Sequence, residues 1–136
     1  MAKLTKSDIG GLGEDIACRY LEKKDFSILD RNYLKKWGEI DIVARETGGG
    51  LCFVEVKSVS CEISPQEDKI SRVTSESYRA EENVHPHKLK RLRRVIQSYL
   101  LEKGIESEDW RFHVLVVELD VARKAARCRF LKDIVL

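Results

Sequence analysis

Two neighbouring β-forming segments carry acidic and basic side chains at regular period inside otherwise apolar runs, and this pattern constrains the fold more than any other feature. In GEIDIVAR (Gly38 to Arg45), Ile40, Ile42 and Ala44 alternate with Glu39, Asp41 and Val43; Thr47-Gly48-Gly49-Gly50 follows as a turn, and then LCFVEVKSV. Such runs around a glycine-rich turn predict an antiparallel β-hairpin. In LCFVEVK the period of two puts Leu51, Phe53, Glu55 and Lys57 on one face and Cys52, Val54 and Val56 on the other. The same rule places Glu39 and Asp41 on one face of the preceding strand, and pairing of the two strands brings Asp41 near Glu55. Charges on a strand apolar enough to be central need a partner or a metal.

The rest of the chain supplies helices and further strands. Thr5 and Asp8 form a capping-box pattern, after which Ile9, Leu12, Ile16, Ala17, Tyr20 and Leu21 recur at helical spacing to about Lys24. Phe26 to Tyr33 reads as a short edge-type strand. Residues 58–84 are rich in Ser, Glu and Arg and lack periodicity, so a mobile flap is expected there. Pro86 opens a second helix whose apolar stripe (Leu89, Leu92, Val95, Ile96, Tyr99, Leu100) ends near Gly104. Trp110 to Leu119 is strongly β-forming, and Ala126 to Leu131 is placed to pair with it. The predicted order is α-β-β-β-flap-α-β-β.

At 136 residues the chain suits one domain, and 43% hydrophobic with 35% charged residues excludes wholesale disorder and collagen-like or fibrous classes. Lys and Arg number 25 against 23 acids, so a net charge of +2 says little about partners and electrostatic arguments must be local. No apolar run nears the ~20 residues of a membrane span and MAKLTKSDIGG lacks a secretory h-region, so a cytoplasmic protein without a membrane partner is expected. Cys18, Cys52, Cys61 and Cys128 show no paired spacing and read as reduced structural thiols; His85 and His87 read as exposed loop residues rather than zinc ligands. Gly10, Gly11 and Gly13 precede Glu14 inside the first helix, which suggests close backbone packing on the sheet. A phosphate-cradling loop would need GxxxxGK[ST] after a strand, and neither is present.

Asp41 and Glu55 meet the sparse demand of Mg²⁺ (or Mn²⁺), which takes one or two protein carboxylates and fills its octahedron with water and substrate phosphate. Such an ion lowers the pKa of a bound water and polarises a phosphoryl oxygen, while Lys57 can orient the nucleophile or offset growing negative charge. The chemistry is phosphodiester hydrolysis. The competing reading is a solvated Glu55–Lys57 pair worth ~0–1 kcal/mol and without function. Helix two carries Lys88, Lys90, Arg91, Arg93 and Arg94 with no acid among them, a footprint suited to a phosphate backbone; the alternative is a solvated face whose stems cover the apolar stripe. Trp110, Phe112 and Tyr99 fit core positions rather than a stacking platform, so recognition of shape, branching or ends is expected instead of base readout.

Asp41, thirteen residues, then Glu55-Val56-Lys57 resembles the PD-(D/E)XK nuclease signature. GLGEDIACRYL, GEIDIVAR and FVEVKS together resemble the YraN-like family of small bacterial proteins, relatives of archaeal Holliday-junction resolvases. The resemblance implies an α/β, restriction-endonuclease-like αβββαβ core with a central mixed sheet flanked by helices. It implies Asp41, Glu55 and Lys57 at a Mg²⁺ site, Glu14 as a helix-one carboxylate joining it, Glu39 as an accessory neighbour, and branched or junction DNA as substrate; a homodimer would suit a two-stranded cut at a junction. Two positions depart from the family pattern: Ser58-Val59 stands where Thr-Arg is usual, and His113 where Asp is usual. Two rival readings remain: a weakly catalytic nucleic-acid-binding module of the same fold, and a protein-interaction partner with structural carboxylates.

Overall fold

The computed structural model describes residues 5–62 and 86–136. Its elements are α1 (Lys6–Lys23), β1 (Phe26–Lys35), β2 (Gly38–Glu46), β3 (Leu51–Ser60), α2 (Pro86–Lys103), β4 (Trp110–Asp120) and β5 (Ala125–Leu131). The order matches the sequence expectation, and the α/β class with a mixed sheet between helices is as anticipated. Helix α1 starts on a complete capping box between Thr5 and Asp8. Helix α2 ends at Gly104, whose φ of 69° is a left-handed conformation that only glycine adopts without strain. No helix among the described residues is long and apolar enough to cross a membrane.

The five strands lie in the order β1-β2-β3-β4-β5, with β3 and β4 parallel and the other neighbours antiparallel. Helices cover both faces, which is why β3 and β4 read as nearly continuous apolar runs. On one face Ala17, Cys18 and Leu21 of α1 pack over Ile42, Ala44, Cys52, Val54, Leu115 and Val117. On the other, Leu92, Val95, Ile96, Tyr99 and Leu100 of α2 pack over Val43, Leu51, Phe53, Phe112, Val114 and Val116. The expected division of β3 is therefore observed, with Leu51 and Phe53 toward α2 and Cys52 and Val54 toward α1.

Strand β2 departs from simple alternation. Ile40, Ile42 and Ala44 were expected on one face, yet Ile40 joins the α2 core whereas Ile42 and Ala44 join the α1 core. The β2–β3 ladder runs only from Arg45↔Leu51 to Ile42↔Val54. Beyond Ile42 the strand is paired with β1 alone, with no partner on the β3 side to hold its pleat, and its faces change at Asp41. Strand β1 also runs two residues past the expected end at Tyr33, with an irregularity between Ile28 and Asp30 and Asn32 at φ 52°. The first three residues of the expected flap instead continue β3, because Ser58, Val59 and Ser60 still pair with Val117, Glu118 and Leu119; its residues 63–84 lie outside those described.

His113 is buried, and its Nδ1 accepts the Asp133 backbone N–H at 2.9 Å while its ring stands edge-on to Phe130. It ties the C-terminal segment to β4, and burial holds its pKa below the usual imidazole value. Helix α1 meets β3 closely at Gly13, where an added Cβ would lie 1.8 Å from Ser58 Oγ and 2.9 Å from Ser58 Cβ. The glycine excess in α1 is thus explained at Gly13, the residue before Glu14, but not at Gly10 or Gly11, which face open space. Gly13→Ala is expected to cost about 1–3 kcal/mol through overpacking, whereas Gly10→Ala gains up to about 1 kcal/mol of helix propensity. Urea midpoints of the two variants check this contrast.

Candidate active site

The site forms where β2 splays away from β3. With no strand carbonyl opposite, the Val56 N–H donates instead to Asp41 Oδ2 at 2.8 Å, so the carboxylate completes the ladder by side chain. One residue before Val56, Glu55 projects toward α2 with its side chain only 14% exposed, so its carboxylate does not sit on a solvated strand face. Lys57 Nζ stands 3.8 Å from Glu55 Oε2, and Lys88 Nζ, from the first turn of α2, stands 3.1 Å from Glu55 Oε1. Among the described residues, Glu55 Oε2 is buried and accepts no hydrogen bond.

Glu39, Asp41, Glu55, Lys88 and Arg91 line one cleft of about 400 Å³ together with the β1–β2 turn. Glu14 lies instead in a neighbouring hollow between α1 and β3, with Val56 and Ser58. Asn32 links the two: with its amide nitrogen turned toward the carboxylates it donates to Glu14 Oε1 at 2.9 Å and to Glu39 Oε1 at 3.2 Å. Arg31 is paired with Asp15 at 2.9 Å and lies 3.9 Å from Glu14. The expected residues are therefore near one another, but Glu14 reaches the cleft through a bridging amide and through its charge.

Electrostatics follow from this crowding. Burial pushes the Asp41 carboxyl up to about 7, and the charges of Glu14, Glu55 and Glu39 add to the effect against the Val56 hydrogen bond. Burial likewise raises Glu14, with Asn32 opposing and Glu39 adding. Lys57 is lowered, by burial first and by Lys88 next, with Glu55 acting the other way. Burial pulls Lys88 down, but the charge of Glu55 and the contact with its Oε1 outweigh it and hold the Lys88 ammonium above the usual lysine value.

Among the described residues no three His, Cys, Asp or Glu side chains converge as a cage for a cation. A hard ion that keeps most of its water does not require one. Asp41 and Glu55 suit such an ion, and the orphaned Glu55 Oε2 is the atom it would satisfy. The basic helix borders the same cleft. Lys90, Arg91 and Arg94 are exposed, and Arg93 donates to the Leu136 carbonyl. Arg94 stacks 4.7 Å over the Trp37 ring, whose Nε1 donates to Ser98 Oγ at 3.0 Å, clamping the β1–β2 turn onto α2. Tyr99 and Phe112 are buried core residues, and Trp110 is partly buried against the same core, as the sequence suggested.

Sequence reasoning missed Asn32, Trp37 and the inward aim of Lys88. Asp-Arg-Asn inside a β-forming run was the available signal for the first, since Asn tolerates positive φ where a β-branched residue does not. Nothing local distinguishes Lys88 from the lysines and arginines that follow it. Because the Asp41 carboxyl is raised to about 7 in the folded chain and not in the unfolded one, its ionisation opposes folding as pH rises from about 4 toward 7. Asp41→Asn removes that opposition and can still accept from Val56. In chelator-treated buffer the variant is expected to melt higher than the native protein at pH 8, with the difference closing toward pH 5; thermal midpoints across that range check it.

The model of the uncharacterised protein family UPF0102 matches residues 13–117. A UPF0102 protein of Campylobacter jejuni subsp. jejuni is 36% identical over 112 residues, which cover 82% of this chain and 85% of the relative. A UPF0102 protein of Thermotoga maritima is 56% identical over 54 residues, 40% of this chain and 49% of the relative. Among solved structures, Pyrococcus furiosus SfsA in complex with Ca²⁺ aligns with 90% of this chain and 62% of its own at 15% identity and a TM-score of 0.35, too distant to carry an argument. The matched residues run from Gly13 through Asp41, Glu55, Lys57 and the basic helix into β4, and the chain belongs to the UPF0102 family.

Proposed function

We propose that this protein is a cytoplasmic, Mg²⁺- or Mn²⁺-dependent endonuclease that hydrolyses DNA phosphodiesters and prefers branched or junction DNA. The observation that carries the reading is the buried, unsatisfied Glu55 Oε2 beside Asp41, flanked by Lys57 at the mouth of a basic helix. Bound there, a divalent ion would supply a Lewis acid for the phosphoryl oxygen and lower the pKa of a water. Asp41 and Glu55, which line the same cleft, would hold the ion, and the Val56 hydrogen bond fixes the Asp41 carboxylate there. Lys57 would orient the attacking water or offset the growing negative charge. Glu14 and Glu39, joined by Asn32, set the charge around Asp41. Lys90, Arg91 and Arg94 contact backbone phosphates, which positions a duplex without reading its bases. A homodimer would present two such sites for a two-stranded cut.

Cleavage of linear, single-stranded, flap and four-way-junction DNA with Mg²⁺ or Mn²⁺ tests the reading. Glu55→Ala, purified in parallel, is expected to lose at least a hundredfold in rate (~3 kcal/mol of barrier) while binding DNA in chelator at least as tightly as the native protein does. Absence of cutting in the native protein, beside salt-sensitive binding, would favour a binding module of the same fold. The basic helix is tested separately. Lys90→Glu with Arg94→Glu is expected to flatten the slope of log K against log salt by about two, roughly 0.9 for each phosphate that is no longer neutralised. An unchanged slope would remove α2 from the interface.

A further inference from the structure

Lys88 lies on the basic helix, yet its ammonium points away from that helix's exposed face and onto Glu55 Oε1 at 3.1 Å. Its neighbours Lys90 and Arg91 are exposed, whereas the Lys88 side chain is 27% exposed. It also occupies the first turn of α2, which contains no acid and where the helix dipole disfavours a cation. A lysine placed against the dipole and drawn out of water needs a compensating anion, and Glu55 is that anion. Glu55 is at the same time one of the two carboxylates suited to a divalent ion.

We propose that Lys88 is a resident counter-ion that competes with the divalent cation for Glu55 and is released toward nucleic-acid phosphate when the cation binds. The inference rests on the metal site proposed above. A cation held between Asp41 and Glu55 stands within a few ångströms of a lysine ammonium contacting the same carboxylate, and like charges at that range repel strongly in a partly buried site. Lysine has the flexible four-carbon stem to move off. The cleft that holds Glu55 and Lys88 also holds Arg91 of the basic face, so the freed ammonium lands among the groups that contact the backbone. Metal and nucleic acid then bind cooperatively, each favouring the state in which Lys88 has left Glu55.

Calorimetric titration of Mn²⁺ into nucleic-acid-free protein tests this. Lys88→Met is expected to bind Mn²⁺ about tenfold more tightly than the native chain, while Lys88→Arg, which keeps the charge, and the exposed Lys90→Met stay within about twofold. Equal or weaker binding by Lys88→Met would overturn the proposal and leave the metal site standing. Failure of every variant and of the native protein to bind Mn²⁺ would overturn the site and the proposal together. In a second measurement, DNA affinity of the native protein is expected to rise severalfold on adding Ca²⁺, and that gain is lost in Lys88→Met; a gain retained in Lys88→Met would overturn the coupling.

Discussion

The hydrogen bond from the Val56 amide to Asp41 decides the shape of everything around it. Where β2 leaves β3, a central strand would have to bury an unpaired N–H, at a cost of the order of 1–3 kcal/mol. A side-chain carboxylate at that point satisfies the amide and lets β2 diverge, and divergence opens the cleft between the sheet and α2. The same substitution of a carboxylate for a carbonyl places a negative charge at the splay point, beside Glu55. The structural device and the chemical group are one residue.

That economy has a cost in stability. Three further carboxylates, Glu14, Glu39 and Glu55, act on Asp41, and burial works in the same direction. The fold offsets them with Lys57, Lys88, Arg31 and the amide of Asn32, contributed by β3, α2 and β1. A layer this dense in charge would not survive in the apolar core on either face of the sheet. It persists at the mouth of the cleft because the helices supply bulk packing elsewhere, from Leu21 on one side to Ile96 and Leu100 on the other.

Much of this was legible before any coordinates. The helix limits, the hairpin, the two faces of β3 and the proximity of Asp41 to Glu55 follow from period, capping and turn chemistry, because each depends on residues close in sequence. What escaped depends on long-range geometry. The change of face at Asp41 reflects the end of pairing with a strand reached through a turn, and the alternation of Ile40, Ile42 and Ala44 gives no sign of it. The aim of Lys88 depends on how α2 crosses β3, and the bridging by Asn32 depends on a positive φ in an edge strand. Gly13 fell between the two cases: its need for space was readable, but only the proximity of Ser58 separates it from Gly10 and Gly11.

The Val56 amide is also unusual among amides of the sheet. Its protection from solvent hydrogen is governed by an ionisable side chain rather than by a neighbouring backbone, so its exchange with deuterium is tied to the state of Asp41. Strand amides such as those of Phe53 and Val54 open when the sheet opens. Val56 opens whenever Asp41 turns away, which makes one backbone position in the middle of β3 a natural reporter of the charge and occupancy of the cleft.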